Sequence, residues 1–236
     1  KNIYYTNVMK FLDTHFDEYI QSSNHISLHP SFKKTIDNLS PDISYLGNVI
    51  LYGSCGIGKY TQMLQMIKKY SPSELKYEKK MTVTYNKINY YFKISDIHFE
   101  IDMGLLGCNA KLLWNDIFTN IIDVLSARIN KHGIIVCKNF HKIHPELLDC
   151  FYSYIQKNNN SINLVYILIS EHISFIPDNI LNVFHTISLS RPSKTNYNKI
   201  MNKKLPTNYK IEEIHNIKNI LTTIMKLENN LNIDIV

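Results

Sequence analysis

Residues 53–59, Gly53-Ser54-Cys55-Gly56-Ile57-Gly58-Lys59, fit the spacing G-x-x-x-x-G-K, with Tyr60 and Thr61 following. A glycine-rich turn of this kind wraps a phosphate chain in backbone N–H groups. The N-terminus of the next helix adds favourable potential, and the lysine reaches the outer phosphates. The complete motif continues with Ser or Thr, whose hydroxyl ligates Mg²⁺. Tyr60 cannot take that role, because its hydroxyl stands too far out on the ring. Thr61 comes one residue late, about 100° around the helix. Gly53, Ser54, Cys55, Gly56, Ile57, Gly58, Lys59, Tyr60 and Thr61 are therefore the expected contacts to ATP or ADP, held without tightly bound Mg²⁺. A loop kept only for its tight turn, holding nothing, is the alternative these residues leave open.

Hydrolysis asks for more than a cradle. It needs a carboxylate at the end of a later apolar strand, to hold the metal and orient water. The candidate strand, GIIVCKNFH, closes on Lys138, Asn139 and His141. An ammonium at the metal-binding position repels Mg²⁺, so no catalytic residue and no metal ligand is expected, and the chain is not expected to be an enzyme. Lys138 itself is expected to face solvent at the strand end. The alternative is a stand-alone P-loop enzyme, such as a nucleotide kinase, with its metal acid supplied elsewhere. Asp96, Glu100 and Asp102 are the places to look, although Arg128 and Arg191 are the only arginines for a lid. His98, within a strand, is expected to be structural. His141 and His144, with no acidic cluster beside them, make a poor metal pair.

These residues need elements to position them. VILY (49–52), a short apolar run followed by glycines, reads as a strand buried on both faces. TQMLQMIKKYS is the helix after the turn. MTVTYNKINYYFKI (81–94) predicts a hairpin around Asn86 and Lys87, and IHFEID (97–102) a further strand. The segment from Ala110 predicts a long amphipathic helix closed by Gly133, with Leu113, Ile117, Ile121 and Leu125 as its core stripe. Trp114 is expected to pack against another element. GIIVCKNF is a buried strand, and HPELLDCFYSYIQK is a helix with Pro145 in its first turn. INLVYILIS and VFHTISLS are two more strands. The aromatics of INYYF and FYSYI are expected in the core, with base stacking a minor option. Alternating strands and helices predict an α/β protein with a parallel sheet covered on both faces. Residues 1–40 form an N-terminal helical segment, with Val8, Phe11, Leu12 and Phe16 on one face. Residues 41–192 form the P-loop domain, and 193–236 a partial helical lid or tail.

The bulk numbers fit this reading. With 236 residues, 44% hydrophobic and 19% charged, the chain is long enough for one α/β domain with a substantial core. The net charge of +6 permits nucleic-acid contact without demanding it. Cys55, Cys108, Cys137 and Cys150 form no C-x-x-C pair, which argues against zinc and for free thiols in an intracellular compartment. No apolar stretch approaches the ~18 residues of a membrane span, so no membrane partner is expected.

The ordered set of motifs from about residue 45 to 193 resembles the small subunits of the replication clamp loader, replication factor C, which are AAA+ proteins. The likeness is closest to the subunit whose loop reads GPSGAGKKT, a member without efficient hydrolysis. KISDIHFEIDMGLLGCNAKLLWNDI is similar to a family stretch at His98, Glu100 and Gly107. IIVCKNFHKIHPELLDCFYSYIQK stands where the family has V-V-L-x-E-x-D-x-L and a helix. LVYILISEHISFIPDNILNVFHTISLSRPS stands where it has a strand ending in the sensor asparagine, then I-P-x-I-x-S-R-C and P-S. The departures fall on the working positions. Lys138 and Asn139 replace the metal acids, Ser170 the sensor asparagine, and Val183 the arginine finger. The N-terminal W-x-x-K-Y-R-P signature is missing, and the tail after Arg191 is short for a lid and collar. The resemblance implies an AAA+-like fold and a structural, non-hydrolysing subunit. Its partners would be other clamp-loader subunits, a sliding clamp and primer–template DNA bound independently of sequence. Its location would be the nucleus or a cytoplasmic replication site, and AT-rich coding suits a large DNA virus. The lysine pairs Lys68-Lys69, Lys79-Lys80 and Lys203-Lys204 are the expected DNA-facing charges.

Overall fold

The computed structural model describes residues 15–25, 29–85, 87–157 and 162–201. Val8, Phe11, Leu12, Asn86, Lys203, Lys204 and the tail beyond Met201 lie outside the described residues. Two N-terminal helices, α1 (Phe16–His25) and α2 (Pro30–Asp37), precede β1 (Val49–Tyr52) and α3 (Lys59–Lys68). There follow β2 (Lys79–Tyr85), β3 (Ile88–Ile94), β4 (His98–Asp102), α4 (Ala110–Ser126) and β5 (His132–Lys138). The chain continues through α5 (Pro145–Gln156), β6 (Asn163–Ser170), α6 (Asp178–Leu181), β7 (His185–Ser188) and α7 (Lys194–Met201).

The seven strands form one sheet in the order β2-β3-β4-β5-β6-β1-β7. β4, β5, β6, β1 and β7 run parallel, and the β2–β3 hairpin joins antiparallel at the β4 edge. Strands that are apolar on both faces need helices on both faces. On one face Ile50, Phe99, Ile101, Ile135, Cys137, Tyr166 and Leu168 meet α4 and α5. On the other, Val49, Leu51, Val136, Ile167 and Ile169 meet Phe16 and Ile20 of α1, Phe32 of α2 and the apolar side of α3. The predicted stripe of Leu113, Ile117, Ile121 and Leu125 is buried, and Trp114 packs its ring 5.2 Å from Phe151.

Two expectations are corrected. The long helix ends at Ser126, not at Gly133, because Arg128 turns away to donate to the Asp96 carbonyl at 2.6 Å. Gly133 instead lies in β5, where an added Cβ would stand 2.8 Å from Leu125 Cδ1. Tyr91 is not core: it is 63% exposed on the outer part of the hairpin. Lys68 meets Glu74 at 3.3 Å, and Lys69 donates to the Leu39 carbonyl.

Candidate nucleotide cradle

The loop from Gly53 to Gly58 leaves the carboxyl end of β1 and enters α3, the place where open α/β sheets bind ligands. Its three glycines all have positive φ. At Gly53, with φ +148°, an added Cβ would stand 2.3 Å from the Leu189 carbonyl oxygen, so no side chain fits there. Gly58 is the left-handed N-cap of α3. Beneath the loop, the His29 ring lies with Nε2 2.7 Å from the Ile57 carbonyl oxygen, tying the N-terminal segment to the cradle. Burial lowers the His29 pKa, and the bond to Ile57 only partly offsets that. Cys55 is exposed at the tip and Ser54 is half-buried.

Lys59, the first residue of α3, folds back over the loop. Its Nζ donates to the Gly53 carbonyl at 2.6 Å and the Ser54 carbonyl at 2.7 Å. Burial lowers its pKa, against the opposing charge of Glu171. Gly53 to Gly58 thus form one turn with the Lys59 ammonium over it, while Tyr60 and Thr61 lie in the first turn of α3.

The metal-binding half is a different matter. Tyr60 points at Glu100 of β4 and hydrogen-bonds to it. Burial raises the Tyr60 pKa, and the Glu100 charge raises it further. Lys138, at the end of β5, is not simply solvent-facing: its Nζ stands 3.5 Å from Glu100 Oε2 and 5.0 Å from the centre of the Tyr60 ring. His98 completes the group, with Nε2 3.2 Å from Glu100 Oε1. Burial alone would push the Glu100 pKa up. The bonds from His98 and Tyr60 and the charge of Lys138 outweigh it, and the net shift is downward. The two sequence departures are thus one feature, since both side chains converge on the same buried carboxylate. Mg²⁺ does not fit here: the hydroxyl position is a tyrosine bonded elsewhere, and the acid position is an ammonium.

The group imitates a serine–histidine–acid triad, with Ser95 Oγ 2.5 Å from His98 Nδ1. It is no nucleophile. Ser95 and His98 are fully buried, and Ser95 Oγ also accepts the N–H groups of Ile97 and His98 as a turn does. The ring of Phe16 lies 4.8 Å from His98, and Tyr19 packs edge-on to Tyr60 at 5.0 Å, so α1 closes over the network.

The other acids offered by the sequence are engaged separately. Asp96 accepts from Ser71 Oγ and the Ser73 N–H. Asp102 accepts from Asn139 Nδ2 at 2.8 Å and the Gly104 N–H. Ser170, at the sensor position, donates to the His172 carbonyl at 2.6 Å. Among the described residues no three His, Cys, Asp or Glu converge as a metal site, and no helix is long and apolar enough to cross a membrane. One charged neighbour escaped sequence reasoning: Glu171 follows β6 directly and acts on Lys59. It also gives His141 the carboxylate partner that its sequence surroundings lack, at 3.5 Å. The only signal for it is register, since Tyr52 pairs with Ser170 and the next residues are Gly53 and Glu171.

The sheet order, the strand–cradle–helix unit and the two covered faces are those of an α/β P-loop fold. No family model and no curated protein matches the sequence. Among solved structures, the chain is similar to Rif2 of Saccharomyces cerevisiae, at 15% identity and a TM-score of 0.46, over 94% of this chain and 78% of that one. It is also similar to RuvB of Thermotoga maritima, a Holliday junction branch migration motor, at 16% identity and a TM-score of 0.42. That match covers 79% of this chain and 51% of RuvB, so the chain spans about half the length of that protein. At TM-scores below 0.5, neither likeness bears on what this chain binds.

Proposed function

We propose that this chain is a non-hydrolysing, AAA+-like subunit that holds ATP or ADP as a structural ligand without tightly held Mg²⁺. The observation behind this reading is the convergence of Tyr60 and Lys138 on Glu100. An intact cradle lies beside a metal position filled by a closed side-chain network. Gly53, Gly56, Gly58 and Lys59 bind the phosphates, and the backbone N–H groups of the turn supply most of the contacts. Nucleotide then serves to order the loop rather than to be cut. The ordered motif resemblance between residues 45 and 193 supports a role in a clamp-loader-like assembly at an intracellular replication site. Its partners there are sister subunits, a sliding clamp and primer–template DNA gripped through phosphates. Val183 at the finger position means that it lends no arginine to a neighbour.

Calorimetric titration with ATP and ADP, in Mg²⁺ and in EDTA, tests the site. The expected result is binding whose Kd changes less than about threefold on removing the metal, with no turnover. Magnesium-dependent hydrolysis by the purified chain would refute the reading. Purification from the native source tests the assembly: clamp-loader subunits or a sliding clamp should accompany the chain, and recovery as a lone active phosphotransferase would reject it.

A further inference from the structure

Ile57 is the only buried residue of the turn from Gly53 to Gly58. Its side chain joins the core layer that holds Phe32, Leu51 and Met63. Gly56 and Gly58, on either side, have φ of +72° and +89°, which lets the chain dip inward at Ile57 and return. The Ile57 carbonyl oxygen lies 2.7 Å from Nε2 of the buried His29 ring. A carbonyl only accepts, so this contact places the ring proton on Nε2. The N-terminal segment holds that ring in place. His29 stands directly before Pro30, which opens α2, and its own carbonyl accepts the Phe32 N–H at 3.0 Å.

We infer that His29 is the positioning residue of the cradle, holding the Ile57–Gly58 peptide with its N–H toward the bound phosphates. This rests on the nucleotide-holding reading above and adds how the N-terminal segment governs that site. A trans peptide is planar, with its C=O and N–H on opposite sides. With the carbonyl drawn inward onto His29, the Gly58 N–H points outward, to the side on which such a turn cradles a phosphate chain. The backbone ladder of α3 does not supply this restraint. Its first bond runs from the Gln62 N–H to the Gly58 carbonyl at 3.0 Å, one residue beyond Ile57. Glycine at 58 accommodates either orientation of the peptide before it, so an unrestrained unit can turn over and present a carbonyl oxygen to the phosphate. Burial also lowers the His29 pKa, which keeps the ring neutral at pH 8 with its one proton on the bond to Ile57. Nucleotide holding therefore requires α2 to be docked against the loop.

The test is calorimetry with ADP on the full chain at pH 8 in EDTA, for wild type, His29→Gln and His29→Phe. Gln carries an amide N–H close to the place of the His29 Nε2–H, whereas Phe keeps a ring and has no donor. Each titration is run below the onset of that variant's thermal unfolding, so that lost affinity is not lost fold. His29→Phe should weaken ADP binding at least about tenfold, the effect of one misdirected hydrogen bond, and His29→Gln should stay within about threefold of wild type. If His29→Phe does not fold, His29→Leu, which also lacks a donor, takes its place with the same expected loss. A packing role alone would reverse the order, since Phe is the closer match in shape. That reversed order, equal weakening in both variants, or wild-type affinity in both overturns the inference and leaves nucleotide holding intact. No ADP binding by wild type overturns the nucleotide-holding reading and this inference with it.

Discussion

At the scale of single residues, Lys138 shows why a degenerate motif is not a motif awaiting repair. Its ammonium neutralises Glu100, which is 3% exposed and already bonded to His98 and Tyr60. Restoring an acid by Lys138→Asp would put a second carboxylate against the first and remove the cation above the Tyr60 ring. Breaking a buried pair costs about 3–5 kcal/mol, and Lys138 is 31% exposed, so about 2 kcal/mol is expected. The variant should melt at lower temperature and still show no magnesium-dependent ATP turnover, because Tyr60 continues to fill the metal position. Gain of turnover would show that the network is a tolerated surface detail. The two departures were legible one at a time in the sequence. Their meeting was not, because Glu100 lies far from both along the chain, and only the register of β4 against β5 brings it beneath them. Glu171 was hidden for the same reason.

At the scale of elements, periodicity revealed most of the architecture. The apolar runs VILY and INLVYILIS could only be strands covered on both sides, and the stripe from Leu113 to Leu125 could only be a helix face. What periodicity could not show was where polar side chains would cut an element short. Arg128 ends α4 early to bind the β3–β4 turn through the carbonyls of Ser95 and Asp96. The Asp96 side chain in turn holds Ser71 and Ser73, fastening the exit of α3 to that same turn. Burial pushes the Asp96 pKa up, but these hydrogen bonds outweigh it and the net shift is downward. A group whose pKa is depressed by folding stabilises the native state above its unfolded value of about 4, and that contribution is lost as pH falls through the folded value. Glu100 acts in the same direction. Urea unfolding at pH 7 and at a series of values below pH 4 checks this. Asp96→Asn should lose about 1–2 kcal/mol at pH 7 and progressively less as the pH falls below about 4. A loss that stays constant down the whole series would mean that the hydrogen bonds survive protonation.

At the scale of the whole molecule, the cradle is joined to both layers. β1 pairs with β6 and β7, the Leu189 carbonyl closes over Gly53, and His29 ties the loop to the N-terminal helices. A ligand in the loop therefore stabilises the native state as a unit, by mass action on folding. At a hundred times its Kd the gain is ~2.7 kcal/mol, which for a chain of this size raises Tm by about 5–10 °C. On the proposal that Tyr60 and Lys138 leave no place for the metal, the shift with ADP should be the same in Mg²⁺ and in EDTA. Lys59→Ala supplies the control. It removes two hydrogen bonds to the loop's own carbonyls, a small cost without ligand, but it should abolish most of the ADP-induced shift. An undiminished shift in Lys59→Ala would place the nucleotide outside the cradle, and a shift seen only with Mg²⁺ would mean that the Glu100 network opens to admit the ion. A shift that needs Lys59 and ignores the metal is the behaviour of a loop that keeps its ligand as a part of the fold.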